Sequence, residues 1–220
     1  MESVLSNSEE NGLRALLPTD LQVYSIGIST AGVAEIRMAE ANPDRHIIAT
    51  TIDEQGIQTV KEQIIESSVH SQIEVKFEDI SQPLPYKDET FDFIYARLVL
   101  HYLSRQVLET TLREIYRVLK TRGRLFIVVR STLCFAATDD TSTYDPETSL
   151  TSYFVTLEET GLKKVCKRFF HSETSISNFV KAAGFKPESV SSYDEQLFYD
   201  FNRTKPAHSV DNLIELIVSK

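Results

Sequence analysis

The sequence predicts an α/β protein built on a doubly wound sheet of seven strands, mostly parallel, with an antiparallel last strand. Three observations carry that reading. Short β-rich runs alternate with longer runs of helical period, the pattern of strands joined by right-handed helical crossovers. The run GRLFIVVR (123–130) is apolar throughout, as a strand covered on both faces must be. Two further β-rich runs follow the last helical pattern with no helix between them, so they form a hairpin, and one of them opposes the rest.

The elements follow in order. LQVYSIG (21–27) is apolar and β-branched and ends at Gly27, a strand; TAGVAEIRMAEANP (30–43) then places Val33, Ile36 and Ala39 or Ala41 at helical spacing before a proline stop. HIIATTI (46–52) is the second strand. EQGIQTVKEQIIESSV (54–69) is the second helix, with Ile57, Val60, Ile64 and Ile65 on one face. QIEVKFE (72–78) alternates as a third strand, and FDFIYA (91–96) is the fourth. SRQVLETTLREIYRVLK (104–120) has the clearest helical period, with Ser104 as its N-cap and Val107, Leu108, Leu112, Ile115, Val118 and Leu119 on one face. After the fifth strand the rhythm breaks. Residues 131–171 are rich in Thr, Ser and Asp and are expected as an irregular cap within a single domain of 1–220. SETSISNFVKAAGF (172–185) is a helix stopped at Gly184, a sixth strand lies within 186–201, and NLIELIVSK (212–220) is the seventh.

Composition narrows the function classes. With 41% hydrophobic and 25% charged residues in 220, the chain can bury a core and is not a disordered type. The net charge of −9 disfavours a nucleic-acid partner, whose phosphates must be neutralised by Lys and Arg; the one basic cluster, KKVCKR (163–168), reads as a solvated face. No apolar run is long enough to span a bilayer and no export signal is visible, so no membrane partner and a cytoplasmic location are expected. Cys134 and Cys166 have no flanking His or Cys, so two free thiols and no metal site are expected.

In an open parallel sheet a ligand binds outside the carboxyl ends of the strands. After the first strand comes SIGISTAG (25–32), where Gly27 and Gly32 let the chain turn tightly and Ser29 is small enough for close approach; the same residues would also serve an ordinary turn. Asp53 follows the second strand, placed to accept from ribose hydroxyls or to cap the next helix. Asp79 follows the third, where it would accept from an adenine amine beside the Ile80 N–H, or simply meet water. The fourth strand runs into RLVLHYL (97–103). Arg97 is a candidate for a ligand carboxylate or a rim residue; His101 and Tyr102 are candidates for the reacting end, His101 as base or as a satisfied core histidine.

Taken together, LPYKDETFDFIYARLVLHYL, LREIYRVLKTRGRLFIVVR and SETSISNFVKAAGF resemble a class I S-adenosylmethionine-dependent methyltransferase of the small-molecule type. The resemblance implies a Rossmann-like fold, S-adenosylmethionine as cofactor, and a small-molecule acceptor. It implies Gly27 and Gly32 beside the methionine part of the cofactor, Asp53 at the ribose, and Asp79 with Ile80 at the adenine. The family's first motif, D/E-x-G-x-G-x-G, is degenerate here: its places hold Ser25, Gly27, Ser29 and Ala31, with Gly32 one step later, and RVLKPGG has become RVLKTRG. A methyltransferase-like protein that binds without catalysing is the alternative; a nicotinamide-dependent dehydrogenase fits less well, because Ser29 and Ala31 suit a pyrophosphate poorly.

Overall fold

The computed structural model describes residues 6–29, 31–156, 161–198 and 206–220. Helix α1 (Asn7–Ala15) precedes strand β1 (Gln22–Ile26), followed by α2 (Val33–Glu40), β2 (His46–Thr51), α3 (Gly56–Glu66) and β3 (Ile73–Phe77). Then come β4 (Phe91–Arg97), α4 (Arg105–Val118) and β5 (Leu119–Arg130). A short α5 (Phe135–Thr138) leads to β6 (Thr143–Asp145), β7 (Leu150–Thr156) and β8 (Lys163–Arg168). Helix α6 (Glu173–Ala182), β9 (Lys186–Phe198) and β10 (Pro206–Ser219) complete the described chain.

The main sheet has seven strands in the order β3-β2-β1-β4-β5-β10-β9. β1 is parallel to β2 and β4, β2 to β3, and β4 to β5; β10 runs antiparallel to both β5 and β9. The seven-stranded α/β sheet with an opposed last strand is therefore as expected. Strand order reverses between β1 and β4, so the crevice where flanking connections part lies at the carboxyl ends of these two strands.

Side-chain alternation divides the core into two layers. Along β5, Leu125, Ile127 and Val129 point to the face covered by α4 and α6, whereas Phe126 and Val128 point to the face covered by α1, α2 and α3. A strand with both faces covered has no place for a polar residue, which is why FIVV reads as an unbroken apolar run. Helix α4 buries Leu108, Leu112 and Ile115 completely, each a turn or so apart on the same stripe. Ser104 is its N-cap residue, although its side chain makes no capping hydrogen bond.

Two expectations need correction, and one element was not expected. Ile65 is largely exposed, and α3 packs instead through Val60 and Ile64. The segment expected as an irregular cap contains a three-stranded antiparallel sheet, β6-β7-β8. Its strands are short and rich in Thr, Ser and Lys because one face is solvated, so they carry little of the apolar signal that marked the main sheet. Helix α1 had no expected counterpart. It begins with a capping box, in which the Ser6 hydroxyl accepts from the Glu9 N–H and the Glu9 carboxylate accepts from the Ser6 N–H.

Candidate active site

A cavity of about 420 Å³ opens at the carboxyl ends of β1 to β4. Its walls are mostly apolar, among them Ile28, Ile52, Ile80 and Leu103, with Asp53, Glu78 and Asp79 as the acidic residues. Gly27 stands at the β1 end with φ 79. A Cβ there would lie 3.0 Å from Val99 Cγ2, so the turn needs glycine for both conformation and space. The Gly27 and Ile28 N–H groups donate to the Thr50 carbonyl at 2.9 and 2.8 Å, tying the turn to β2. Gly32, with φ 57, is the N-cap of α2. Ser29 and Ala31 are not among the residues with positive φ. Both left-handed positions among the described residues of this turn thus fall on its two glycines. The family glycines that are missing stood where the backbone does not demand one. Ser29 is exposed and, like Gly32, does not line the cavity.

Asp53 serves two ends. Its carboxylate accepts from the Gln55 N–H at 3.1 Å and its carbonyl from the Ile57 N–H at 2.9 Å, fixing the turn into α3. The residue is exposed and lines the cavity. Asp79 likewise accepts from the Ser81 N–H at 2.9 Å and lines the cavity, with buried Ile80 beside it, whose carbonyl accepts from the Thr111 hydroxyl at 3.0 Å. Glu78 differs: its carboxylate accepts from the Tyr24 phenol and, at 2.9 Å, from the Tyr86 phenol. Burial and that carboxylate push both phenols well above the usual range, so they remain protonated donors.

RLVLHYL does something other than end a strand. Leu98 takes φ 55, a conformation that costs a leucine about 1–2 kcal/mol, and its N–H donates to the Val128 carbonyl at 2.8 Å. The bend turns Leu98 and Val99 into the cavity wall and brings Tyr102, half-exposed, to its edge. The expectation for Arg97 is corrected. Its guanidinium donates to Ser8 Oγ at 2.6 Å and Ser6 Oγ at 2.8 Å, and pairs with Glu195 at 3.3 Å and Glu9 at 3.5 Å. It fastens α1 to the sheet and does not line the cavity. His101 is corrected too. Its ring is fully buried, Nδ1 accepts from the Arg130 N–H at 3.2 Å, and burial beside Arg168 and Arg130 drives its pKa well below the usual histidine range. A neutral acceptor locked beneath the surface is not a base for a ligand.

Two features escaped the sequence reading. Ser25 occupies the place where the family carries an acid, and its hydroxyl donates to Glu35 Oε1 at 2.5 Å. Helix α2 thereby supplies a buried carboxyl next to the end of β1; burial pushes its pKa up. The available signal was an acid among Ala34, Met38 and Ala39, which α2 buries with it. The other is the pair of tyrosines that hold Glu78, which no local pattern links.

The comparisons with known proteins bear on this geometry. The family pattern of a methyltransferase domain matches residues 24–127. Over those residues the chain is similar to a methyltransferase domain. A search of curated protein sequences finds no significant match. Solved structures of the same fold include a SAM-dependent methyltransferase from Methanosarcina mazei, 16% identical, covering 94% of this chain and 96% of that one with a TM-score of 0.71. The CcbJ methyltransferase from Streptomyces caelestis is 14% identical, covers 96% and 94%, and has a TM-score of 0.69. An S-adenosylmethionine-dependent methyltransferase from Mesorhizobium loti is 13% identical, covers 97% and 98%, and has a TM-score of 0.64.

The cavity's chemistry suits S-adenosylmethionine, on which two of the named proteins of this fold depend. An apolar slot bounded by a side-chain-free turn and two exposed carboxylates matches a flat base and a sugar with donor hydroxyls. Among the described residues no cluster of His, Cys, Asp or Glu is fit to hold a metal, and no helix is long and apolar enough to cross a membrane.

Proposed function

We propose that this chain is an S-adenosylmethionine-dependent methyltransferase that acts on a small-molecule acceptor and holds its cofactor through Gly27, Asp53, Asp79 and Ile80. The observation that carries the reading is the single cavity wall shared by Gly27, Asp53, Asp79 and Ile80, which follow three different strands. Asp53 accepts from the ribose hydroxyls, while Asp79 and the Ile80 backbone meet the adenine edge. The cofactor supplies a sulfonium-bound methyl group for in-line displacement. The chain's own contribution is alignment: the left-handed turn at Leu98 and the Gly27 turn fix the walls between which the acceptor must enter.

His101 is buried and neutral, so the acceptor brings its own nucleophile: a carboxylate, a phenolate or an unprotonated amine. Tyr102, at the cavity's edge, is the residue placed to touch it. Calorimetric titration with S-adenosylhomocysteine tests the reading. Micromolar binding is expected, lost in part on Asp53→Ala; no detectable association at millimolar ligand would overturn it.

A further inference from the structure

Beside the cavity, on the side away from Asp53 and Asp79, three side chains from three elements converge. Tyr102 stands in the turn after β4, Tyr153 on β7 and Arg168 at the end of β8. Arg168 donates to both phenols: Nη1 to the Tyr153 oxygen, and Nη2 to the Tyr102 oxygen at 2.8 Å. Its guanidinium also sits 4.5 Å over the Tyr102 ring.

The hydrogen-bond inventory of this cluster is one-sided. Each phenol oxygen accepts from Arg168, so each phenol proton is left to donate, and neither donates to a described residue. The Arg168 Nε–H is buried with no partner. No carboxylate among the described residues pairs with Arg168, whereas its neighbour Arg130 is paired with Asp211 at 2.9 Å. A guanidinium and two phenols therefore present a surplus of donors and one uncompensated positive charge, next to the cavity that Tyr102 lines. What completes such a site is a group that only accepts and carries one negative charge.

We propose that Tyr102, Tyr153 and Arg168 form the anchor for the methyl acceptor, and that the acceptor carries a carboxylate. The inference rests on the methyltransferase reading above and names the acceptor's chemical class. One cation matches one carboxylate; a phosphate dianion would remain half-compensated. Strand order separates the anchor from the nucleoside end. Asp53 and Asp79 follow β2 and β3, whereas Tyr102 follows β4, across the Gly27 turn, and the small sheet supplies the other two groups. The acceptor is thus gripped by the cap and presented toward the β1–β4 crevice.

The test uses the whole chain saturated with S-adenosylhomocysteine and, as probes, benzoate, benzamide and inorganic phosphate. Wild-type protein is expected to bind benzoate at least about tenfold more tightly than benzamide, and Arg168→Gln to abolish that preference while Arg168→Lys retains part of it. Tyr102→Phe, at a half-exposed position, is expected to weaken benzoate several-fold and leave benzamide unchanged. Equal binding of benzoate and benzamide by wild type overturns the proposal, as does a preference that survives Arg168→Gln. Tighter binding of phosphate than of benzoate overturns the assignment to a carboxylate. The cofactor's own carboxylate is the rival occupant. If Arg168→Gln weakens S-adenosylhomocysteine but not 5′-methylthioadenosine, the anchor belongs to the cofactor and the proposal fails. Failure of wild type to bind S-adenosylhomocysteine would sink the cofactor reading alone, since the benzoate preference is then measured on the free protein.

Discussion

Asp53 accepts one backbone N–H and still faces the cavity, so its removal should tell most strongly on the ligand. Asp53→Ala is expected to weaken S-adenosylhomocysteine by about 1–3 kcal/mol in a calorimetric titration, the usual loss when a hydrogen bond to a charged group disappears. Glu35 makes a different prediction. Burial raises its pKa above the ordinary 4.5, so the folded state holds its proton to higher pH than the unfolded chain. The stability that this proton confers is complete below about pH 4.5 and is lost as pH rises through the folded value. Glu35→Gln, which keeps an oxygen for the Ser25 hydroxyl, should melt above wild type at pH 8, with the gap closing toward pH 4.5. Equal melting curves at both pH values would contradict the buried carboxyl. The positions of Asp53, Asp79 and Gly27 on the cavity wall were legible because each stands at the end of a recognisable strand. Arg97 was not, because Ser8 and Glu195, its partners, lie 89 and 98 residues away in the chain.

Among the elements, α1 owes its seat to that same arginine. Glu195 is 4% exposed and accepts from the Ser8 N–H at 2.8 Å and the Ser8 hydroxyl at 3.0 Å, besides Arg97. Replacing Arg97 by Ala leaves a buried carboxylate without its cation, which costs about 3–5 kcal/mol. Chemical denaturation should show that loss, and Glu195→Ala in the same background should cost much less than it does alone. The start of β5 holds the opposite case. Arg122 has φ 70, where the family carries glycine, so Arg122→Gly is expected to stabilise the fold by up to about 1 kcal/mol. The main-sheet elements were visible because strands covered on both faces are apolar without interruption. The small sheet was hidden because its half-solvated strands resemble a polar loop, and α1 because its stripe is short and ends against Gly12, packed under Tyr95.

For the molecule as a whole, two buried histidines favour the fold less as the solution turns acid. His101 and His171 are both buried, and burial holds the pKa of His171 down to about 3. The unfolded chain binds these protons near pH 6.5 and the folded chain does not. The stability they confer is therefore full above pH 6.5 and declines as pH falls toward the folded values, by up to about 1.4 kcal/mol per pH unit for each histidine. The urea midpoint should drop between pH 7 and pH 5, before most carboxylates titrate, and His171→Gln should reduce the slope. The order of the strands was only partly readable: alternation gave the parallel set and the final hairpin, but local pattern does not encode that β10 inserts between β5 and β9.

That insertion governs the order of assembly. The β5 edge, with Phe126, Ile127, Val128 and Val129, finds its second neighbour only in Leu213–Ser219, so a wholly apolar stretch of strand waits for a segment far along the chain. Until then an open row of amide and carbonyl groups is available to any passing chain. Slow refolding and a need for dilute conditions are the kinetic signature of a sheet closed by so distant a pairing.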